Sequence, residues 1–329
     1  MSEDKDRSTN RLPADEAREH LMVQIARMAY QQDRTMTEIA AETGLNRWQV
    51  RRLLTEARDL GVVRIEIVPR SHRKPDLETA LTREFGLRDA VVVPAAGDNA
   101  PLTESVAQAA GQYVAAVKPR PRMAGVSWGR TMAAVAHWLP PNWSDGVEVV
   151  QINGTVAPVP QAGGHNEVAE TFARKGNGRF VPLPVPAIVG ERATREVLEK
   201  DRIVADVLQR ARSAELLCFS MGALNEHSAL LLSGNILHKE LDKLLRAGAV
   251  GDVLGRFIDR RGAIVDQELD QRTIGLSFSE LKRCGRAVGI ACGAEKHDVV
   301  LGALRAGLIN VLVTDEATAT YALEHVHDR

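Results

Sequence analysis

Apolar residues recur at helical spacing on both sides of Gly44, within the stretch 36–55. The inward positions of the two segments are Ile39, Ala40, Val50, Leu53 and Leu54. Gly44 lies between the segments, where a tight turn favours a residue that tolerates a positive φ. Thr37 can cap the first segment and Asn46 the second, because both side chains accept backbone N–H hydrogen bonds. The pattern therefore predicts a helix, a tight turn and a second helix.

The outward face of the second predicted helix is polar and basic. Its residues are Arg47, Trp48, Gln49, Arg51, Arg52 and Thr55. Arginine and glutamine can form paired hydrogen bonds with guanine and adenine edges, and arginine also neutralises phosphates. We therefore predict a helix-turn-helix that recognises DNA, although a helical hairpin with a solvated charged face has a similar pattern. The predicted DNA-binding residues are Thr37, Asn46, Arg47, Trp48, Gln49, Arg51 and Arg52.

Three further features flank this hairpin. Residues 1–13 are polar and lack periodicity, which predicts a disordered arm. An apolar stripe then predicts a first helix that ends near Gln32 and supports the hairpin. Between Gly61 and Pro69, alternating apolar residues predict a short strand that the proline stops.

From residue 76 onwards, short apolar runs alternate with helical patterns. The predicted strands are 90–93, 122–127, 147–153, 216–221, 287–291 and 310–314. The predicted helices are 77–85, 103–117, 131–138, 298–306 and 317–323. Such alternation predicts a doubly wound, mostly parallel α/β sheet that binds ligands outside the carboxyl ends of its strands. The predicted domains are residues 1–69 for DNA binding and 76–329 for the α/β domain, joined by a linker at 70–75.

Composition narrows the possible functions. The 329-residue chain has a formal net charge of −1, which excludes a protein that coats nucleic acid through uniform positive charge. No apolar run approaches the roughly 20 residues that span a bilayer, and the polar N-terminus is unlike a signal peptide, so we expect a cytoplasmic protein. The three cysteines show no CxxC spacing, which argues against a disulfide framework or a zinc site. We expect neither a metal nor a cofactor.

The segment Ser127-Trp128-Gly129-Arg130-Thr131 joins a predicted strand to a predicted helix. Free backbone N–H groups at the helix start, together with the two hydroxyls, are suited to holding a phosphate. A simple capped helix start has the same sequence pattern, so both interpretations stay open. Neither GxGxxG nor the Walker-type GxxxxGK pattern occurs, so dinucleotide and nucleoside triphosphate sites are not expected.

Polar or glycine-containing segments also follow the later predicted strands. They are Asn153-Gly154-Thr155, Met221-Gly222-Ala223, Gly251-Asp252 and Cys292-Gly293-Ala294-Glu295-Lys296. Because the carboxyl ends of parallel strands meet at one edge, we expect these segments to form a single rim. Lys296 would add positive charge to a phosphate held there, although an ordinary surface lysine has the same local sequence.

The segment Asn225-Glu226-His227 is the place in the sequence that suggests catalysis. A carboxylate and an imidazole can act as general acid and base in sugar-phosphate isomerisation. Neighbours in sequence usually point apart, however, and such pairs are more often solvated. We therefore predict no catalytic residue.

Four longer stretches together resemble the SorC/DeoR-type sugar-binding transcriptional regulators. They are TEIAAETGLNRWQVRRLLTEARDLGVVRIEI, GVSWGRT, GAVGDVLGRFID and GRAVGIACGAEKHDVVLGALRAGLINVLVTDEATA. The stretches span most of the chain, and their combination is far more specific than any one of them. The resemblance implies a C-terminal domain related in fold to ribose-5-phosphate and glucosamine-6-phosphate isomerases. It also implies a phosphorylated sugar or polyol as effector, and assembly into dimers or tetramers.

Carried over onto this sequence, the family's effector-binding positions fall on the predicted rim. Those that would hold the phosphate are Ser127, Gly129, Thr131 and Lys296. Those that would face the sugar hydroxyls are Asn153, Gly154, Gly222 and Asp252. The remaining predicted effector-site residues are Trp128, Arg130, Thr155 and Glu295. Asn153-Gly154-Thr155 stands where relatives commonly have a glycine pair, so the resemblance does not identify the effector.

The sequence therefore predicts a transcriptional regulator, with repression favoured over activation, that binds operator DNA as a homodimer or homotetramer. A sugar-phosphate isomerase with a fused DNA-binding domain is the alternative from another class, and turnover of pentose or hexose phosphates would distinguish the two. A DNA-binding architectural protein is a poorer alternative, because the net charge is near zero and most of the chain lies outside the helix-turn-helix.

Overall fold

The computed structural model describes residues 14–30, 32, 34–63, 73–94, 102–156 and 167–328. Contacts divide the chain into two compact units, the first ending at Arg70 and the second beginning at Ser71. The predicted arm at 1–13 and most of the strand predicted after Gly61 lie outside the described residues.

In its described part, the first unit consists of α1 (Ala14–Tyr30), α2 (Met36–Thr43) and α3 (Arg47–Asp59). The three helices pack around one core, in which all the predicted inward residues are buried: Ile39, Ala40, Val50, Leu53 and Leu54. Gly44 ends α2 with φ of 70°, a left-handed conformation that costs glycine little. The predicted helix, turn and helix are therefore present.

The cap of α2 differs from the sequence prediction. Thr35, not Thr37, is the N-cap residue, and its hydroxyl accepts a hydrogen bond from the Glu38 N–H at 3.3 Å. The Glu38 carboxylate accepts in return from the Thr35 N–H at 2.8 Å. Because the helix begins before the predicted cap, Thr37 lies inside the first turn and is exposed. Asn46 caps α3 as predicted, by accepting from the Gln49 N–H at 2.9 Å.

The second unit is a mostly parallel α/β sheet, as predicted. Its strands are β1 (Asp89–Val93), β2 (Met123–Val126), β3 (Glu148–Gln151), β4 (Arg179–Val181), β5 (Leu216–Ala223), β6 (Gly251–Val253), β7 (Arg256–Ile258), β8 (Ala287–Ile290) and β9 (Val311–Asp315). Seven strands pair in parallel in the order β1-β9-β8-β5-β2-β3-β4. β6 pairs antiparallel with the end of β5, and β7 pairs antiparallel with β6.

The described helices of this unit cover the two faces of the sheet or pack in a third apolar cluster. They are α4 (Pro75–Phe85), α5 (Leu102–Ala116), α6 (Arg130–Trp138), α7 (Glu167–Lys175), α8 (Arg192–Lys200), α9 (Arg202–Arg212), α10 (Ala229–Leu232), α11 (His238–Arg246), α12 (Gln267–Asp270), α13 (Phe278–Leu281), α14 (His297–Arg305) and α15 (Glu316–Glu324). In β5, Leu217 and Phe219 pack into one core with α9 and α14, whereas Leu216 and Cys218 pack into the other with α5, α6 and α7. Because successive strand residues point to opposite faces, a strand covered on both faces is continuously apolar in sequence.

Strands β4, β6 and β7 are not predicted by the sequence pattern, because they have three residues each and therefore carry little periodicity. Two of the predicted rim loops belong to strands as a result. The strand predicted at 216–221 continues to Ala223, and the pair Gly251-Asp252 begins β6. Gly222 and Asp252 are therefore direct cross-strand partners and not loop residues.

Candidate functional site

A cavity of about 340 Å³ lies at the carboxyl ends of β2, β5 and β8, which are neighbours in the parallel sheet. This is the edge where ligands bind in open parallel α/β sheets. The predicted residues that line the cavity are Ser127, Trp128, Gly129, Arg130, Thr131, Asn153, Gly222, Asp252, Glu295 and Lys296. The topology thus brings together segments that are far apart in the chain.

The start of α6 borders the cavity. Gly129 precedes the helix with φ of 125°, a conformation that residues with a side chain rarely adopt. No side chain caps this helix within the described residues, and the Ala133 N–H bonds to the Gly129 carbonyl at 2.8 Å. The N–H groups of Arg130, Thr131 and Met132 therefore precede the first intrahelical bond. Together with the positive end of the helix dipole, such groups favour an anion.

Lys296 brings a cation to the same place from a distant part of the chain. It ends a short 3-10 helix (Ala294–Lys296), and its Nζ donates to Thr131 Oγ1 at 3.2 Å. Burial lowers the pKa of the ammonium, because the surrounding protein excludes water that would stabilise the charge. The negative charges of Glu295 and Asp252 oppose this shift, and the positive charge of Arg130 adds to it. A bound anion would stabilise the charged ammonium in the same way as the two carboxylates.

Asp252 occupies the cavity because its cross-strand partner has no side chain. A Cβ added to Gly222 would lie 2.0 Å from Asp252 Oδ1. The other carboxylate oxygen, Oδ2, accepts from the Gly255 N–H at 2.8 Å. Burial raises the pKa of Asp252 to about 6, against the opposing effects of the Gly255 N–H and the Lys296 charge. The carboxyl therefore changes its charge close to neutral pH.

Asn153 contributes a buried amide to the cavity lining. It is only 3% exposed, and its Oδ1 has no hydrogen-bond partner among the described residues. The Gln151 amide donates to the Asn153 carbonyl at 3.0 Å, and Asn153 bridges to Gly275. Gly275 is held in turn by the buried Arg256, whose guanidinium donates to the carbonyls of Gly275 and Leu276 at 3.3 and 3.2 Å. An acceptor left over after these contacts can accept a ligand hydroxyl.

The outward face of α3 is the second candidate site. Its exposed residues include Arg47, Trp48, Arg51, Arg52 and Thr55. Trp48 is 66% exposed, and the Arg52 guanidinium lies 5.6 Å from the centre of its ring. Within the described residues, neither Arg47 nor Arg51 forms an ion pair, so their charges are available to a ligand.

Gln49 is less available to DNA than its place on the outward face suggests. Its Oε1 accepts from the Asn46 N–H at 2.9 Å, which completes a capping box at the start of α3. A forked contact with adenine needs this oxygen as well as the amide nitrogen. Such a contact would therefore compete with the cap.

Residues 70–324 match the family model described as "Putative sugar-binding domain". The chain is 30% identical over 306 residues to the deoxyribonucleoside regulator of Bacillus subtilis, covering 93% of this chain and 97% of that protein. The chain belongs to the SorC/DeoR family of transcriptional regulators. It is also 29% identical to the sorbitol operon regulator of Klebsiella pneumoniae, over 92% of this chain and 98% of that protein.

Solved structures agree with this assignment. The full-length sorbitol operon regulator SorC from Klebsiella pneumoniae matches with a TM-score of 0.72 and 28% identity, over 92% of this chain and 98% of that chain. A sugar-binding domain of a transcriptional repressor from Vibrio fischeri matches with a TM-score of 0.69 and 25% identity. The match covers 78% of this chain and 100% of that domain. These relatives are transcriptional regulators and not enzymes, so the SorC/DeoR-family protein described here is a regulator and the isomerase alternative is set aside.

Two predicted effector-site residues of this SorC/DeoR-family regulator do not line the cavity. The Gly154 carbonyl accepts from Trp128 Nε1 at 2.7 Å, and its N–H donates to Ile274 at 3.0 Å. Thr155 directs both its N–H and its hydroxyl to the Val185 carbonyl, at 2.7 and 3.1 Å. Their polar groups are thus used within the fold. Gly154 and Thr155 shape the segment after Asn153 and do not line this cavity.

Other lining residues are not among the predicted effector-site residues, although Met221, Ala223 and Cys292 belong to the predicted rim segments, and Asn225 and His227 to the segment considered for catalysis. These other lining residues are Thr103, Ser220, Met221, Ala223, Asn225, His227, Ser228, Ala229, Leu230, Leu254, Gly255 and Cys292. The suggested acid–base pair is divided, because Asn225 and His227 line the cavity and Glu226 does not. Asn225 instead donates to Glu295 Oε2 at 3.3 Å and accepts from the His227 N–H at 2.9 Å. The polar side chains of Asn225 and Ser228 were the feature of the sequence that could have indicated a binding site here. No spacing pattern, however, connects them to Lys296.

Within the described ranges, no helix is long and apolar enough to cross a membrane. The same residues contain no group of three or more His, Cys, Asp or Glu side chains that could hold a metal ion. The cysteines Cys218, Cys284 and Cys292 are all free. Burial raises the pKa of each thiol, which disfavours the reactive thiolate.

Proposed function

We propose that this regulator is a repressor that binds operator DNA through the outward face of α3 and binds a phosphorylated sugar or polyol in the cavity. Acting on DNA, it would work in the cytoplasm. The observation that carries the effector proposal is the position of Lys296, whose Nζ lies 3.2 Å from Thr131 Oγ1 at the open start of α6.

The phosphate end of the effector is supported by three kinds of donor in one place. The start of α6 supplies backbone N–H groups and a favourable dipole. Lys296 supplies an ammonium, and Thr131 supplies a hydroxyl that already contacts it. Arg130 also lines the cavity and is exposed, so a second cation is within the same lining. Hydrogen bonds between such cations and phosphate are roughly twice as strong as neutral ones.

The polyhydroxyl end is supported by acceptors elsewhere in the lining. Asp252 has one carboxylate oxygen bonded to Gly255, which leaves Oδ1 for a ligand. Asn153 Oδ1 has no hydrogen-bond partner among the residues that the structure describes, and Ser220 adds a hydroxyl. A sugar presents several hydroxyls that donate to such acceptors. A cavity of about 340 Å³ suits a molecule of this size.

The DNA-binding part of the proposal rests on α3. Its first turn carries Arg47 and Trp48 on the outward face, and residues at this end of a recognition helix contact base edges. One such helix covers few base pairs, so we propose that a homodimer or homotetramer presents two of them to two half-sites. If the effector binds one arrangement of the copies better than another, it changes DNA affinity by that difference.

A charge-removal experiment tests the effector proposal. Sugar phosphates and their unphosphorylated parents are first screened by thermal shift, since a ligand at 100 times its dissociation constant adds about 2.7 kcal/mol to native-state stability. The best phosphorylated ligand is then titrated against Lys296→Ala. We expect this variant to bind it about 1.5–3 kcal/mol more weakly, because a charge-assisted hydrogen bond is lost. The unphosphorylated parent should bind both proteins equally.

Lys282→Ala is the matched control, because Lys282 is an exposed lysine outside the cavity. It should bind both ligands like the unmodified protein. Equal losses for the phosphate and its parent in Lys296→Ala would contradict the phosphate assignment. A fall in melting temperature without ligand would instead assign Lys296 a structural role.

A further inference from the structure

Trp48 has an unusual position on α3. Each residue advances about 100° around an α-helix. The buried residues of α3 are Val50, Leu53, Leu54 and Ala57. Trp48 therefore lies almost opposite the middle of the buried face, at the centre of the surface that points away from the core. It is also the second residue of the helix, in the turn that approaches base edges when such a helix enters a major groove.

The surroundings of Trp48 leave most of its indole accessible. The side chain is 66% exposed, which is the highest value among the exposed aromatic residues in the described part of the chain. Within the described part of the chain, its ring contact is Arg52, one turn later, whose guanidinium lies 5.6 Å from the ring centre. Cation–π contact of this kind holds the ring near the helix surface. An edge of the indole then remains free to contact a ligand.

The polar side chains next to Trp48 differ in how available they are to DNA. Gln49 is engaged in the capping box with Asn46, so it is poorly placed to provide sequence information. Arg47 and Arg51 lie to one side of Trp48 and carry charges without ion-pair partners in the described residues. Arginine bonds guanine edges or phosphates. Trp48 is thus the apolar residue at the centre of an otherwise polar contact surface.

We propose that Trp48 is a specificity-determining residue that contacts the C5-methyl group of a thymine in each operator half-site. This inference rests on the proposed DNA-binding role of α3. The thymine methyl is the apolar group that a base pair presents in the major groove. An indole has one donor and no acceptor, so its recognition of a base depends mainly on apolar contact. Covering the methyl with the indole removes both surfaces from water.

The test compares thymine with deoxyuridine, which lacks only the methyl group. The full-length protein is used to select a duplex from random sequences, and each thymine of that duplex is replaced by deoxyuridine in turn. At one position per half-site, the unmodified protein should lose about three- to tenfold in affinity, the amount expected for one buried methyl group. Trp48→Ala should bind the thymine duplex more weakly and should bind the thymine and deoxyuridine duplexes equally at that position.

Leu60→Ala is the matched control, because Leu60 is an exposed apolar residue, 64% exposed, that follows the far end of α3. This variant should keep the full sensitivity to the methyl group. Circular dichroism melting of Trp48→Ala checks the fold, which should be unchanged because the side chain is mainly exposed.

Each other outcome overturns the inference in a recognisable way. If every thymine tolerates deoxyuridine, or if Trp48→Ala keeps the same ratio between the two duplexes, Trp48 does not contact a methyl group. If Trp48→Ala weakens all sequences alike, the indole packs on the sugar–phosphate backbone, and the proposed DNA-binding role of α3 stands. If the selection enriches no sequence, the proposed function fails together with the inference.

Discussion

The cavity and the outward face of α3 are built in opposite ways. The cavity joins residues as distant as Thr131 and Lys296, which are 165 positions apart, through the order of the strands. The α3 face takes its side chains from a single helix of 13 residues. Every cavity residue therefore depends on the packing of the sheet, whereas the α3 residues depend on one helix and its cap. Substitutions in the cavity should accordingly affect several parts of the sheet, whereas substitutions on the outward face of α3 should affect only their own neighbourhood.

The largest contrast should come from two aromatic residues that differ in burial. Phe219 is fully buried, at 0% exposure, in the strand that carries Gly222, and Trp48 is 66% exposed. Phe219→Ala should lower the free energy of unfolding by about 3–5 kcal/mol through lost burial and a cavity in the core. Trp48→Ala should change it by less than about 0.5 kcal/mol. Urea unfolding monitored by circular dichroism measures both, and equal losses would contradict the contrast.

A methyl group at Gly222 should damage the cavity from within. The new Cβ would lie 2.0 Å from Asp252 Oδ1, so the carboxylate must leave its present position in the cavity. We expect Gly222→Ala to weaken the effector, phosphorylated or not, by about 1.5–3 kcal/mol, as for a lost hydrogen bond to a charged group. Gly190→Ala is the control, because nothing lies within 4 Å of a Cβ there. Isothermal titration calorimetry measures the affinity of both variants, and an unchanged affinity in Gly222→Ala would contradict this prediction.

Arginine substitutions on α3 should separate base recognition from phosphate contact. Arg47 is the first residue of the helix, so Arg47→Ala should cost about 1–3 kcal/mol at one base pair per half-site and relax the preference there. Arg52→Ala should weaken all sequences alike and flatten the salt dependence. Arg58→Ala, at the far end of α3, should change neither quantity. Fluorescence anisotropy with single-base operator variants measures both the affinity and the sequence preference. Unchanged specificity in Arg47→Ala would contradict the assignment of α3 as the recognition helix.

The proposed effector site should respond to pH through Asp252, because burial raises the pKa of this residue to about 6. The carboxyl is neutral below this pH and ionised above it, and the ionised form accepts hydroxyl hydrogen bonds more strongly. Affinity for the unphosphorylated parent, which has no titrating phosphate, should therefore rise by up to about tenfold between pH 5 and 7. Asp252→Asn should remove this dependence. A profile shared by both proteins would exclude Asp252 as its source.

The raised pKa of Asp252 should also make the stability of the effector-free protein depend on pH. This stability should fall as the pH rises, whereas the affinity for the effector should rise. The native protein binds the Asp252 proton more tightly than the unfolded chain, whose carboxyl keeps a pKa near 3.8. Without effector, Asp252 should therefore lower the free energy of unfolding as the pH rises from about 4 to about 6. The difference between the unmodified protein and Asp252→Asn isolates this contribution.

The smallest effect concerns the cap of α2. Thr35→Ala should destabilise the first unit by about 1 kcal/mol, because the Glu38 N–H loses its acceptor. Thr37→Ala should be nearly neutral, since Thr37 lies inside the first turn and is exposed. Hydrogen exchange of the α2 amides compares the two variants. A larger loss in Thr37→Ala would reverse the assignment of the cap.

The sequence by itself determined the features that depend on neighbouring residues. The inward residues of α2 and α3, the turn at Gly44 and the cap at Asn46 follow from helical period and local hydrogen bonding, and the structure contains all three. The parallel α/β class followed from alternating patterns, and Ser127–Thr131 and Lys296 followed from their place after predicted strands. Even the error at Thr37 was local, because Thr35 offers an equivalent hydroxyl two residues earlier in the chain.

Only the tertiary structure decided which of the rim residues face the cavity. Asn153 and Thr155 are two residues apart, yet Asn153 lines the cavity and has an acceptor with no partner among the described residues, whereas the Thr155 hydroxyl donates to the Val185 carbonyl. The pairing of Gly222 with Asp252 depends on a three-residue antiparallel strand that has no readable period. The physical reason is that hydrogen-bond partners across a sheet are set by strand order and register. These relations join distant parts of the chain, so no local pattern encodes them.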